Sequence, residues 1–171
     1  MMRMVVQPVL LLGHPDLYKA SEPVAEDELD SLRIVIQDLH DTLMDFRARY
    51  GAGRAIAAPQ IGIAKRLVYM HIDAPVVLIN PQYTYQSSEM FELWDDCMSF
   101  PELLVRVRRH KECSIQYRDA GWRLQESTYS GDLSELVQHE YDHLDGILAV
   151  DRAIDLRSFR YRVVGVQNNQ G

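Results

Sequence analysis

Apolar residues recur at intervals of three and four between Glu26 and Gly51: Leu29, Leu32, Ile36, Leu39, Leu43 and Phe46 fall on one side of a helix. Acidic residues open this stretch, and Arg47 and Arg49 close it, the charge order that a helix dipole favours. The pattern predicts an amphipathic helix of about five turns that ends before Gly51, with an apolar face that needs a sheet to cover. Upstream, residues 7–25 hold three prolines and little periodicity, so they read as an irregular arm lying over the domain.

Downstream, the helical period gives way to short β-prone runs. Arg66 to Ile72 and Val76 to Ile79 are β-prone runs parted by Asp73, Ala74 and Pro75, and Asn80 with Pro81 marks a further turn. Tyr83 to Phe91 reads as extended. Leu103 to Val107, Glu112 to Tyr117 and Trp122 to Ser127 look like a meander of three strands, the last two joined through Asp119, Ala120 and Gly121. Gly131 then opens a second helix that buries Leu133, Leu136, Val137 and Leu144 and stops by Gly146. Strands in runs with segregated helices define an α+β class, here antiparallel sheets packed around a central helix, with a long helix in the N-terminal half.

Two segments fit neither pattern. Gly51 to Gly62, GAGRAIAAPQIG, interleaves small residues with a proline, which is wrong for a helix and poor for a packed strand; a loop is the expected form, although such residues also let backbone approach a ligand. Trp94 to Glu102, WDDCMSFPE, places Cys97 in a stretch that is not strand-like at its centre, where backbone N–H groups are expected to be free.

A chain of 171 residues suits one domain, with 165–171, ending in QNNQG, as a frayed tail. The 47% hydrophobic and 25% charged content is ordinary for a globular protein, and no apolar run approaches the roughly 20 residues of a membrane span. Pro8 interrupts the apolar N-terminus and no small-residue cleavage site follows, so no signal peptide is expected and a cytoplasmic location is. A formal net charge of -7, with no basic cluster beyond Arg106, Arg108, Arg109 and Lys111, leaves no electrostatic footprint for nucleic acid. The two cysteines, Cys97 and Cys113, read as free thiols, and either is a candidate ligand or nucleophile.

Candidate chemistry is concentrated in QHEYDHLDG, from Gln138 to Gly146. On a helix, His139 and His143 share a face one turn apart and can grip one metal ion, with Glu140 beside it. Two neutral imidazoles suit zinc or ferrous iron, and a catalytic site of this type needs a third protein ligand and an open position for water. Glu140 would take a proton from that water and pass it to the leaving group.

With these residues in place, the chain resembles the peptide deformylase family over nearly its whole length. The family's Gly-x-Gly-Leu-Ala-Ala-x-Gln loop is matched by Gly53, Arg54, Ala55, Ile56, Ala57, Ala58, Pro59 and Gln60; its Glu-Gly-Cys-Leu-Ser by Asp95, Asp96, Cys97, Met98 and Ser99; its His-Glu-x-x-His by His139 to His143. The resemblance implies a divalent metal, ferrous iron or else zinc, held by Cys97, His139 and His143. It implies Glu140 as general acid and base, and the Gln60 side-chain amide with the Met98 backbone N–H as an oxyanion hole. The implied substrate is an N-formylated peptide, with transient ribosome association and no nucleic-acid or membrane partner.

The expected substrate wall departs from the family pattern. Arg54 stands where the family has an apolar residue, Ala55 replaces the second glycine of the Gly-x-Gly loop, and Asp132, seven before His139, replaces an apolar residue that faces the methionine pocket, whereas Leu136 keeps its character. Asp95 is one methylene shorter than the usual Glu, whose Arg partner corresponds to Arg109, and Asp96 replaces a glycine. These changes lead to two readings: a pocket turned polar, with Arg54 and Asp132 paired and a polar formyl or acyl amide as substrate, or an ordinary deformylase whose charges point to solvent. A third is a metal-binding protein with little or no activity.

Overall fold

The computed structural model describes residues 4–163; the tail expected at 165–171 lies outside them. The long helix α1 spans Leu29–Tyr50, and Gly51 caps it in the left-handed conformation at φ 67, its N–H donating to the Arg47 carbonyl. A residue with a Cβ pays a steric penalty in that conformation, which is why the helix stops at this glycine. Eight strands follow in part: β1 (Ala55–Ala57), β2 (Leu67–His71), β3 (Pro75–Gln86), β4 (Met90–Asp95), β5 (Leu103–His110), β6 (Glu112–Arg118), β7 (Leu124–Ser130) and, after helix α2 (Asp132–Leu144), β8 (Phe159–Tyr161). They form two antiparallel sheets, ordered β1-β2-β3-β6-β7 and β4-β5-β8.

Alternation along the first three strands explains why both helices can use one sheet. Ile56, Leu67, Tyr69 and Ile79 pack with Leu32, Leu39, Leu43 and Phe46 of α1. Their neighbours Ala55, Ala57, Val68, Met70 and Leu78 pack with Leu136, Val137 and Leu144 of α2. Successive side chains of a strand point to opposite faces, so the sheet is covered on both sides and its inner strands are apolar at nearly every position. The three-stranded sheet closes the other flank of α2: Val105 and Val107 of β5 join Leu17, Cys97, Phe100 and Leu148 in a third cluster. The α+β class, with the central helix between antiparallel sheets, is the one expected. Among the described residues no helix is long and apolar enough to cross a membrane.

Three local expectations are corrected. The segment read as a loop contains β1, paired Ala55 to Met70 and Ala57 to Val68, followed by a 3-10 turn over Ala58–Ile61. Its alanines are small because they sit under α2, and only a small side chain lets an edge strand lie that close. The supposed three-strand meander is split: β6 pairs with β7, but β5 pairs with β4 and β8. Lys111 alone separates β5 from β6, and one residue cannot reverse a chain into a hairpin, so the strand passes from one sheet to the other. Asn80 and Pro81 do not end a strand either. They form an irregularity inside β3, between Ile79 and Gln82, with Asn80 at φ 50 and its side chain bonded to both the N–H and the carbonyl of Val24. This long-range amide pair to the N-terminal arm holds the irregularity, where proline is tolerated within a sheet.

The N-terminal arm is irregular, as expected, apart from a 3-10 turn at Pro15–Tyr18. It ties the functional segments together: Leu10 N–H donates to the Gln60 carbonyl, Leu12 N–H to the Ser99 carbonyl and Ser21 N–H to the Leu144 carbonyl.

Candidate metal centre

Two separate elements bring three side chains to a common point. Helix α2 carries His139 and His143, four residues and one turn apart, and both are buried against the sheets. Cys97 follows the end of β4 in a tight turn closed by the Phe100 N–H to the Cys97 carbonyl at 3.0 Å. The Cys97 Sγ lies 3.3 Å from His143 Nε2, which lies 3.2 Å from His139 Nε2. All three donor atoms fall within 4.8 Å of one another.

The chemistry of this donor set asks for a cation. Two imidazole nitrogens face each other beside a sulfur, and their lone pairs repel unless positive charge stands between them. Burial, reinforced by the neighbouring His139, pushes the His143 imidazole well below its usual range, so its lone pair is free. Burial also works against charge on His139, but Asp95 and Cys97 overcome it and raise this ring well above its usual range. The surroundings therefore favour positive charge at this point, as a divalent ion bound by soft sulfur and imidazole would supply.

Around the donors lies a buried hydrogen-bonded shell. His139 Nδ1 contacts Asp95 Oδ2 at 2.9 Å, leaving Nε2 for the centre. The same carboxylate oxygen accepts from Arg109 Nη2 at 3.2 Å, and Arg109 Nη1 donates to Asp142 Oδ2 at 2.5 Å. Burial works against the Asp95 charge, yet His139 and Arg109 hold its carboxyl below the usual carboxylate range. Arg152 then holds Asp142 from the outside, with Nη2 to Oδ1 at 2.8 Å. The Asp95–Arg109 contact is the one the family pattern implied. Asp142, which locks the far side of Arg109, was not singled out from sequence, and its only signal was its place inside the His-Glu-x-x-His segment.

Gln60 is 1% exposed. Its Oε1 accepts from the Ala57 N–H at 2.9 Å, which turns Nε2 toward Ser99 Oγ at 3.2 Å and Cys97 Sγ at 3.5 Å. Among the described residues no acceptor takes the backbone N–H of Met98. Glu140 is 4% exposed, its Oε2 has no partner, and burial raises its carboxyl to about 7. A carboxyl tuned to that value can both take and give a proton near neutrality.

A cleft opens onto these groups, lined by Gly53, Arg54, Ala55, Asp95, Asp96, Leu136 and Met98 together with Phe46 and Glu135. Arg54 and Asp132 do pair, Nη1 to Oδ2 at 3.2 Å. The expectation that Asp132 faces the pocket is corrected: its side chain is 83% exposed at the solvent end of α2 and is not among the lining residues. The acidic group in the wall is Glu135, which the sequence reading missed although it lies four residues before His139 and hence on the same helix face. Asp96 lines the cleft and is tied to Arg162 at 2.7 Å.

A mixed fold with two antiparallel sheets around a helix, and a buried Cys/His/His cluster next to a titratable glutamate, define a metallohydrolase class. The chain belongs to the peptide deformylase family: the polypeptide deformylase family model matches residues 6–159. It is 36% identical to the peptide deformylase of Pseudothermotoga lettingae over 159 residues, 92% of this chain and 89% of that one. Its fold is similar to the crystal structure of the peptide deformylase from Thermotoga maritima, with a TM-score of 0.81, 30% identity, and coverage of 88% of this chain and 99% of that one. The Met-Ala-Ser-bound class I type b enzyme from Acinetobacter baumannii gives the same TM-score, 0.81, at 30% identity and the same coverage, 88% and 99%.

Proposed function

We propose that this chain, as a single domain, hydrolyses the formyl amide of N-formylated peptides, N-formylmethionyl peptides among them, to formate and a free amine. The observation that carries the reading is the convergence of Cys97, His139 and His143 within 4.8 Å, at a cleft that also holds the buried Glu140. A divalent cation held by these three side chains supplies Lewis acidity toward water and carbonyl. Glu140 takes the proton from the attacking water and delivers it to the departing nitrogen, which leaves as an amine. Negative charge gathers on the formyl oxygen during the attack, and Gln60 Nε2 and the Met98 N–H donate to it, each lost donor costing about 3 kcal/mol in the barrier. Gln60 is held for this by its Oε1 contact to Ala57, so the donor is oriented before substrate arrives. Gly53, Arg54, Ala55, Asp95, Asp96 and Leu136 form the substrate walls, with Asp132 acting through Arg54.

One thiolate and two imidazoles accept ferrous iron or zinc alike; ferrous iron is the ion proposed, on the strength of the family resemblance. Cytoplasmic action and transient association with the ribosome, where formylated chain ends emerge, complete the proposal. A purely structural metal is not favoured, because Glu140 and Gln60 are needed by no metal and are buried beside this one. Protein loaded with ferrous iron under anaerobic conditions is expected to release formate from formyl-Met-Ala-Ser; release from no formylated peptide would overturn the reading.

A further inference from the structure

The hydrolysis leaves one buried acid in the cleft without a role. Glu135 is 7% exposed and lines the cleft beside Arg54 and Leu136. Its Oε1 accepts from Arg54 Nη2 at 2.9 Å, but its Oε2 has no hydrogen-bond partner among the described residues. The other arm of Arg54 reaches Asp132. Two carboxyl groups thus share one guanidinium, so that with both ionised Arg54 balances only one of the two negative charges. A buried carboxylate oxygen lacking a donor is costly. A thioether or alkyl chain laid against it offers no donor and deepens its desolvation.

We propose that Glu135, held by Arg54, is a specificity-determining residue that selects, at the first residue of the formylated substrate, an unbranched side chain ending in a cationic N–H donor. The inference rests on the formyl-amide hydrolase reading. Phe46 and Leu136 in the same cleft flank the methylenes of such a chain, as apolar surfaces commonly flank a lysine stem. Its ammonium supplies the donor that Oε2 lacks and offsets the charge that Asp132 leaves over. A neutral amide end satisfies the oxygen without balancing the charge, so the expected order is lysine, then glutamine, then norleucine. Formyl-methionyl peptides remain substrates at lower kcat/KM, because their side chain meets Glu135 with no donor.

The test is formate release by the iron-loaded protein from formyl-Xaa-Ala-Ser, with Xaa lysine, glutamine, methionine or norleucine, together with calorimetric binding of the tripeptides Lys-Ala-Ser and norleucyl-Ala-Ser. Lysine is expected to exceed norleucine on the order of tenfold in kcat/KM, expressed in KM and in tripeptide affinity. Glu135→Met should invert the order, and Arg54→Met, which leaves both carboxylates without their cation, should widen it. Norleucine equal to or above lysine in the natural protein overturns the proposal, as does a ratio unmoved by Glu135→Met. Should that variant not fold, an unmoved ratio in Arg54→Met overturns it. A protein that binds metal but releases formate from no peptide sinks the hydrolase reading instead, and tripeptide binding then still reports on the pocket.

Discussion

Asp95 Oδ2 and His139 Nδ1 lie 2.9 Å apart, and this one contact fixes which nitrogen of His139 faces Cys97 and His143. Arg109 bonds the same oxygen and is 3% exposed, so the carboxylate is locked by a buried guanidinium. Partners of this kind orient metal-binding imidazoles and raise their basicity. Asp95→Asn is expected to weaken metal binding about 10–100-fold, measured by competition against a chelator of known affinity. Unchanged affinity would show that the helix alone orients the ring.

Glu140 has no role in holding metal but sits buried at the same cleft. Glu140→Gln is expected to retain one equivalent of metal, by elemental analysis, and to lose about 10²–10⁴-fold in kcat for formate release. Loss of metal along with activity would reassign Glu140 to the architecture of the site.

Glu135 carries a pH dependence of stability. Burial first, and the charge of Asp95 second, raise its carboxyl from 4.5 to about 7. Below the lower value both folded and unfolded chains hold the proton and nothing is lost. As pH rises toward the upper value the unfolded chain releases its proton first, so the folded state loses stability across that window. Glu135→Gln lacks this group, and its urea midpoint in the metal-free protein should therefore gain on the natural protein's between about pH 4.5 and about pH 7 and hold level above. A constant gap between the two would contradict a raised carboxyl.

Gly146, just past α2, has φ +73, and a Cβ placed on it would lie 2.6 Å from the backbone carbon and oxygen of Tyr18. The contact is with backbone, which cannot swing aside. Gly146→Ala is expected to destabilise the protein by at least about 2 kcal/mol through clash and left-handed strain together, read from thermal melting. Gly131, with φ +60 and open space around it, provides the comparison: alanine there meets strain alone and should cost less.

Much of the site was legible because its spacing is short-range. His139, Glu140 and His143 fall within one helical turn, and the helical period alone puts the two imidazoles on one face. The Gly53–Gln60 and Asp95–Ser99 segments stood out because their small or non-periodic residues fit neither regular period. Glu135 was overlooked in favour of Asp132, although both precede His139 by intervals that keep them on its face. What separates them is depth: Asp132 is the first residue of α2 and lies in solvent, while Glu135 lies one turn further in. Helical phase can be read from a sequence, but distance below the surface depends on what packs at the helix end.

The sequence by itself determined the two helices, the strand-forming runs, the α+β class and the paired histidines with Glu140, because each follows from local period, turn residues and spacing, while the chemistry of the Gly53–Gln60 and Asp95–Ser99 segments was legible only through the family resemblance. Only the tertiary structure decided that β5 and β6 belong to different sheets, that the alanine-rich segment is a strand under α2, that Arg109 is locked between Asp95 and Asp142, and that Arg54 draws Glu135 into the cleft wall. These depend on contacts between residues far apart in the chain, such as Arg54 with Glu135 and Cys97 with His143. No local pattern encodes such pairings; they are fixed when the two sheets close on α2 and each buried polar group must find its partner there.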